Sequence, residues 1–256
     1  MASQTIPGAI SIRDIRLTNL TLEDALNAIH AAVTKKVSTR IAFVNADCVN
    51  IAARDAGYLA DLQAMDWVFA DGIGVKLAGQ LLQQPVRANV NGTDLFPRLC
   101  EDMAREGQRL FLLGAAAGVA QAAGEWAQAH HPGLVLAGTQ HGYGSADELP
   151  ALLERIRLAQ PDVLLVGLGA PRQERWIQEH AASVGATVVM GVGGLYDYYS
   201  GGIPRAPLWM RRNGLEWLFR LLQEPRRLAR RYLIGNWVFM IHVLGDRLCG
   251  NKRGKP

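Results

Sequence analysis

Only three cysteines occur in 256 residues (Cys48, Cys100 and Cys249), separated by 52 and 149 positions. None of these separations is a paired metal-ligand spacing and no disulfide framework is expected, which points to a reducing compartment. Charged residues make up 20% and aromatics 7%, against 49% hydrophobic residues. That balance excludes a disordered, collagenous or coiled-coil chain. From Met1 to Leu17 there is neither a long apolar core nor a cleavage pattern, so no secretory leader is expected. The dinucleotide fingerprint GxGxxG and the P-loop are absent, which disfavours a nicotinamide enzyme or an ordinary ATPase. No Asp-x-Asp pair, HExxH or Gly-x-Ser-x-Gly occurs either, so no carboxylate pair for a divalent cation, zinc site or serine nucleophile is legible. His130 and His131, before Pro132, read as a solvated turn at a helix end. No metal and no cofactor is expected.

What is present is unevenly distributed. From Ile203 to Pro256 there are twelve Lys or Arg and three acids, a net of +9, whereas the first 202 residues carry −5. The chain therefore divides into a body, 1–202, and a basic appendage, 203–256, with the boundary in Ser200–Pro204. The appendage holds Trp209, Trp217 and Trp237, half of the tryptophans. Cations interleaved with Trp suit an anionic membrane surface or a nucleic acid. Its most apolar stretch, Tyr232–Gly245, makes about 21 Å of helix, short of the ~30 Å hydrocarbon layer, and Asn236 and His242 interrupt it. A core helix docking the tail, an interfacial helix and a true span are the three readings, in falling order.

In the body, short β-branched runs alternate with helical patterns. Strands are expected at Ile41–Asn45, Trp67–Ala70, Arg109–Leu113, Leu134–Ala137, Asp162–Gly167 and Thr187–Gly191. Helices are expected near Leu22–Lys35, Ile51–Gln63, Gly74–Leu82, Leu95–Glu106, Val119–His130, Ala146–Leu158 and Gln173–Val184, with Thr21 and Asp94 as caps. This alternation predicts an α/β fold, a Rossmann-like, mainly parallel sheet with helices on both faces. Ligands of such sheets bind outside the carboxyl ends of the strands. Asn45-Ala46-Asp47, Asp71-Gly72, Gly114–Gly118, Gly167–Gln173 and Gly191–Asp197 fall at those ends. The chemistry left open is that of diphosphates handled by arginines and backbone amides.

Four stretches, taken together, resemble one family. They are Ala70-Asp-Gly-Ile-Gly-Val75, Gly167-Leu-Gly-Ala-Pro-Arg-Gln-Glu174, Gly191-Val-Gly-Gly-Leu-Tyr-Asp197, and Arg205-Ala-Pro207 with Leu215–Arg220 and Glu224–Arg227. Their order and spacing are similar to the WecG/TagA/CpsF glycosyltransferases (glycosyltransferase family 26), over roughly residues 40–231. The resemblance implies a transferase moving a sugar from UDP to an undecaprenyl-diphosphate-linked sugar, with inversion and no required metal. It also implies a membrane-binding C-terminal appendage and peripheral attachment at the cytoplasmic face of the bacterial inner membrane.

On that resemblance Asp71 is the catalytic base; the other role for an Asp there is to cap the following helix. Asn45 matches an acceptor- or base-positioning Asn, the competing role being an Asx turn. Phe43 stands where members often have Thr, so that hydroxyl is lost. Gln173 matches a donor-site Gln, and the start of its helix offers amides to a diphosphate. Asn89, read as a substrate-binding residue, falls where many members have Arg and cannot supply that charge; whether Arg87, two residues earlier, reaches the same place is left open, the other reading being a different sugar specificity. Asp197 either bonds sugar or uridine or braces its loop. Arg220, Arg227 and Arg230 match tail arginines that close over the site, their guanidinium forks standing in for a metal. Arg226 and Arg231 read as headgroup contacts, each cation near an anionic leaflet contributing about 1 kcal/mol. The stretch Asn89–Phe96 leans the sugar to glucose, as in xanthan-type exopolysaccharide synthesis, with N-acetylmannosamine or its uronic acid as the alternative. A nucleic-acid-binding protein would leave the strand-end clusters without a role, and a regulatory module that binds nucleotide-sugar without turnover would have no use for Asp71.

Overall fold

The computed structural model describes residues 8–253. The N-terminal residues 1–7, where no secretory leader was expected, and residues 254–256 of the basic appendage lie outside the described residues, as does the side chain of Cys249.

Six strands form one parallel sheet: β3 (Thr39–Val44), β4 (Trp67–Ala70), β5 (Arg109–Gly114), β6 (Val135–Gln140), β7 (Val163–Gly167) and β8 (Val188–Gly191). Their order is β4-β3-β8-β7-β5-β6 and every neighbouring pair is parallel. The central strands are near-continuous apolar runs, such as Val163-Leu-Leu-Val-Gly167, because helices cover both sides. Alternate residues feed two cores. Ile41, Phe43, Leu110, Leu112, Leu165 and Met190 face α1 (Leu22–Thr34), α5 (Gly92–Glu106), α6 (Val119–His130) and α9 (Leu195–Tyr199). Ala42, Val44, Phe111, Leu113, Leu164 and Val166 face α2 (Ala46–Ala52), α3 (Ala56–Gln63), α4 (Ile73–Leu81), α7 (Leu149–Ala159) and α8 (Arg172–Val184).

Several local expectations change. An antiparallel hairpin, β1 (Ala9–Ile12) and β2 (Ile15–Thr18), precedes the sheet and buries Ile12, Ile15 and Leu17. The helix expected over Ile51–Gln63 is two helices, because Asp55 caps Tyr58 and starts α3 afresh. Thr21 does cap α1, in a capping box with Asp24. Asp94 is not a cap: Asn91 holds that position, and Asp94 sits in the first turn of α5 accepting from it. His130 and His131 do stand at a helix end before a turn, His130 exposed in the last turn of α6 with its ring stacked on Trp126 and His131 as the C-cap.

Beyond Tyr199 the chain loops to α10 (Leu208–Arg212), α11 (Glu216–Gln223), α12 (Pro225–Ala229), a π-helical turn (Arg230–Ile234) and α13 (Gly235–Arg253). Leu228, Phe239 and Val243 are its deeply buried apolar anchors, the last two set into the core shared by α2 and α4. Asn50 Nδ2 donates to the Gly235 carbonyl at 2.7 Å and fixes where α13 begins. Among the described residues no helix is long and apolar enough to cross a membrane.

Candidate active site

The carboxyl ends of β4, β3, β8 and β7, four adjacent strands, open into one cleft of about 550 Å³, and the C-terminal segment roofs it. Asp71 follows the last residue of β4. Its amide donates to the Val44 carbonyl at 2.9 Å, which ties the turn to β3. Gly72 then adopts φ +92°, a conformation that suits glycine, and is itself the N-cap of α4 with no side-chain cap. Asp71 is therefore not engaged in capping, and its carboxylate lines the cleft. Burial raises its pKa to about 6, the negative charge of Glu216 adds to the rise, and Arg231 and Arg220 oppose it. A carboxylate tuned this way is ionised near neutral pH yet more basic than an exposed aspartate.

The neighbouring polar residues hold the turns. Asn89 Oδ1 accepts from the Gly72 amide at 2.6 Å, a contact that arginine, with no acceptor, cannot make. Arg87 does not replace the missing charge: it pairs with Asp24 at 3.2 Å, toward α1, and does not line the cleft. Asn45 caps α2, its Oδ1 accepting from the Asp47 and Cys48 amides. The Asx-type role thus accounts for its oxygen, while the residue still lines the cleft. Phe43 borders the cleft and packs edge-on against Phe69.

Gln173 lines the cleft and is held from within the protein. It is buried, and its Oε1 accepts from the Gly169 amide at 3.1 Å and the Gly193 amide at 2.9 Å. Its Nε2 donates to Glu174 Oε1 at 2.8 Å. One side chain thereby clamps the loops after β7 and β8 together, through the Gly169 and Gly193 amides. Glu174 is fully buried, with its pKa pushed to about 7 by burial and its second oxygen unpartnered. Tyr196 likewise faces inward, donating to the Leu165 carbonyl at 2.8 Å. Gly167 beside it must be glycine, since a β-carbon there would stand 2.7 Å from the Tyr196 ring.

Positive charge comes from the roof. Arg220 lies over the Gly193–Gly194 turn, with Asp197 at 3.8 Å and the Tyr198 ring beneath its guanidinium at 5.1 Å. Asp197 has its pKa raised by burial, with Arg220 and then Arg227 pulling it down, so it braces the arginine that covers its loop. Arg227 lines the cleft from an exposed position and pairs with Glu224. Arg230 does not line it: the residue is exposed at the start of the π-helical turn. Arg231 lines the cleft instead, its Nε 3.1 Å from Asp47, so the headgroup role expected of it is replaced by one beside Asn45 and Asp71. Arg211 and Glu216 also line the cleft, and both are held in one network: Asp94 takes Arg205 at 2.9 Å and Arg211 at 3.2 Å, while Arg205 reaches Glu216 at 3.3 Å. Sequence reading gave Arg211, Glu216, Trp217 and Tyr232 no site role, although Glu216 and Trp217 lie within the family-like stretch Leu215–Arg220; Arg211 and Tyr232 carried no signal beyond their place in the basic tail.

Among the described residues no three His, Cys, Asp or Glu side chains cluster as a metal ion would need. The donor set at the cleft is one of guanidinium groups, which suits phosphate oxygens.

Known proteins with this sequence pattern place the cleft in context. The family model described as "Glycosyl transferase WecG/TagA/CpsF family" matches residues 10–253. A curated relative from Staphylococcus aureus (strain MW2), an N-acetylglucosaminyldiphosphoundecaprenol N-acetyl-beta-D-mannosaminyltransferase, is 33% identical over 201 residues, 78% of each chain. A Bacillus subtilis (strain 168) protein of the same name is 31% identical over 209 residues, 82% of this chain and 81% of its own. With nearly the whole chain matched, strand ends and arginine roof included, this protein belongs to the WecG/TagA/CpsF family of glycosyltransferases.

Proposed function

We propose that the protein transfers N-acetylmannosamine from UDP to an N-acetylglucosaminyl group carried on undecaprenyl diphosphate. The leaning to glucose read from Asn89–Phe96 gives way here, because the relatives are named for N-acetylmannosaminyl transfer and Asn89 serves the Gly72 turn. The observation that carries the reading is a cleft with one unpaired, raised-pKa carboxylate on its floor and arginines in its roof.

In this reading the acceptor hydroxyl lies against Asp71. Its oxygen attacks the anomeric carbon from the face opposite UDP, the carbon–oxygen bond to the nucleotide breaks, and Asp71 takes the hydroxyl proton. The configuration inverts because attack and departure occur on opposite faces. UDP leaves with the bonding electrons, and Arg220, Arg227 and Arg231 neutralise the charge that develops, without need of a metal. Asn45 and Asn89 shape the turns around Asp71, and Gln173 keeps the two glycine loops at the spacing the donor requires.

The roof also faces the membrane. On α13 the residues Trp237, Val238, Ile241, Leu244 and Leu248 recur at helical spacing, with Ile234 just ahead at the end of the π-helical turn, all exposed, opposite the buried Phe239 and Val243. Trp237 is 73% exposed and Ile241 64%. A contiguous apolar face next to exposed Arg226, Arg230 and Arg247 fits peripheral attachment to an anionic leaflet, at the cytoplasmic face of a bacterial inner membrane where the donor is made available. The test is transfer to N-acetylglucosaminyl-diphosphoundecaprenol with a panel of UDP-sugars. UDP-N-acetylmannosamine is expected to support product formation well above UDP-glucose, and the reverse order would overturn the donor assignment.

A further inference from the structure

The cleft is not polar on every side. Ile73 and Leu77, one turn apart on α4, line it while standing 36% and 44% exposed. Met240 of α13 lines it as well. Between them Phe239 packs down on Gly74, its ring 3.7 Å from the place a β-carbon would occupy, and forms the bed of a groove between α4 and α13. Gly214 covers the other flank of Ile73. On α13, Met240 is followed one turn later by Leu244 and preceded three residues earlier by Trp237, both on the outward apolar face. Apolar side chains therefore mark a path from Ile73, two residues after Asp71, by way of Leu77, Phe239 and Met240 to the face of α13 assigned to the membrane.

Isolated exposed apolar residues are ordinary; a concave row continuous with an arginine-lined site calls for a ligand that is anionic at one end and apolar at the other. A nucleotide-sugar has no apolar end. We propose that the groove between α4 and α13 binds the first isoprene units of the acceptor's polyprenyl chain, with its diphosphate toward Arg231 and its sugar on Asp71. This rests on the functional reading above and adds to it a chain-binding subsite, distinct from the membrane-facing residues. The acceptor then enters along the groove rather than by lifting clear of the membrane, and the enzyme distinguishes acceptors by their chains as well as by their sugars.

The experiment compares two acceptors in detergent micelles: N-acetylglucosaminyl-diphosphoundecaprenol, and the same head group on a short water-soluble alkyl chain. Leu77 is exposed, so Leu77→Gln leaves the fold undisturbed. In that variant the ratio of kcat/KM for the long-chain acceptor to that for the short one is expected to fall roughly tenfold, and Leu77→Met to restore it. An unchanged ratio would overturn the subsite. So would loss of co-sedimentation with acceptor-free anionic vesicles matching that of Trp237→Ser, which would assign Leu77 to the membrane. Wild-type protein that transfers to neither acceptor would overturn the functional reading, and the subsite with it, before any variant is made.

Discussion

The body and the roof are built by different physics. In the body, strands are buried on both faces and the turns that carry Asp71, Gln173 and Gly193 are locked by short internal hydrogen bonds. In the roof, α11 and the π-helical turn bury no residue fully, and ion pairs such as Arg231–Asp47 and Arg220–Asp197 hold them over the cleft. Partly exposed pairs contribute about 0–1 kcal/mol each and weaken with salt. In the proposed function, the base and its turns stand on the half held by internal hydrogen bonds, and the groups proposed to supply charge and to meet the membrane stand on the half held by ion pairs. Closure of such a roof at the membrane would limit loss of donor to water.

The sharpest way to break this division is at its two ends. Asp71→Asn is expected to lower kcat by 10³-fold or more, at the upper part of what a positioned base contributes, with the fold intact. Arg231→Ala and Arg220→Ala should each lower it about 10²-fold, as loss of one charge-stabilising donor does elsewhere, while Arg230→Ala stays within about twofold. Equal effects at Arg230 and Arg231 would erase the distinction that the π-helical turn makes. The pair Trp237→Ser and Ile241→Ser should weaken binding to anionic vesicles at least about tenfold, read by co-sedimentation, and leave the body's unfolding transition in place.

Smaller effects depend on protons. With the Asp71 pKa near 6, kcat/KM should fall as pH drops through about 6, and Glu216→Gln should move that limb to lower pH by removing a negative charge. Glu174 tests the body alone. Its carboxyl binds a proton more tightly folded than unfolded, so stability is fully present below the ordinary glutamate range and is lost as pH rises toward about 7. Urea midpoints should therefore fall over that interval in the wild type and fall less steeply in Glu174→Gln.

Much of the body was legible because strand and helix periods are local. Trp67–Ala70 and Val119–His130 fall where their patterns put them, and Thr21 announces its helix. The hairpin Ala9–Thr18 carried a readable signal too, Ile10, Ile12, Ile15 and Leu17 around a turn, but lies ahead of the motif-bearing region. The break before α3 was hidden in a continuous helical pattern that only the Asp55 cap interrupts. Asp71 and Asn45 were legible as cleft residues from their place at strand ends, because the topology of a parallel sheet brings those ends together, whereas Asn89, in the loop before α5, was singled out by the family resemblance alone. The roof was not. Whether Arg230 or Arg231 faces the cleft depends on helix phase, and a π-helical turn changes that phase in a way a 3.6-residue reading cannot follow. Glu216 is held through Arg205 to Asp94, whose ion pair joins residues 111 positions apart, which no local pattern encodes.

A structure of the protein with UDP and the lipid-linked acceptor bound would put the account to its most direct test. The attacking hydroxyl should lie about 3 Å from the Asp71 carboxylate, with guanidinium groups of Arg220 and Arg231 on phosphate oxygens. An acceptor seated with that hydroxyl against another side chain, or phosphates bound away from both arginines, would contradict it.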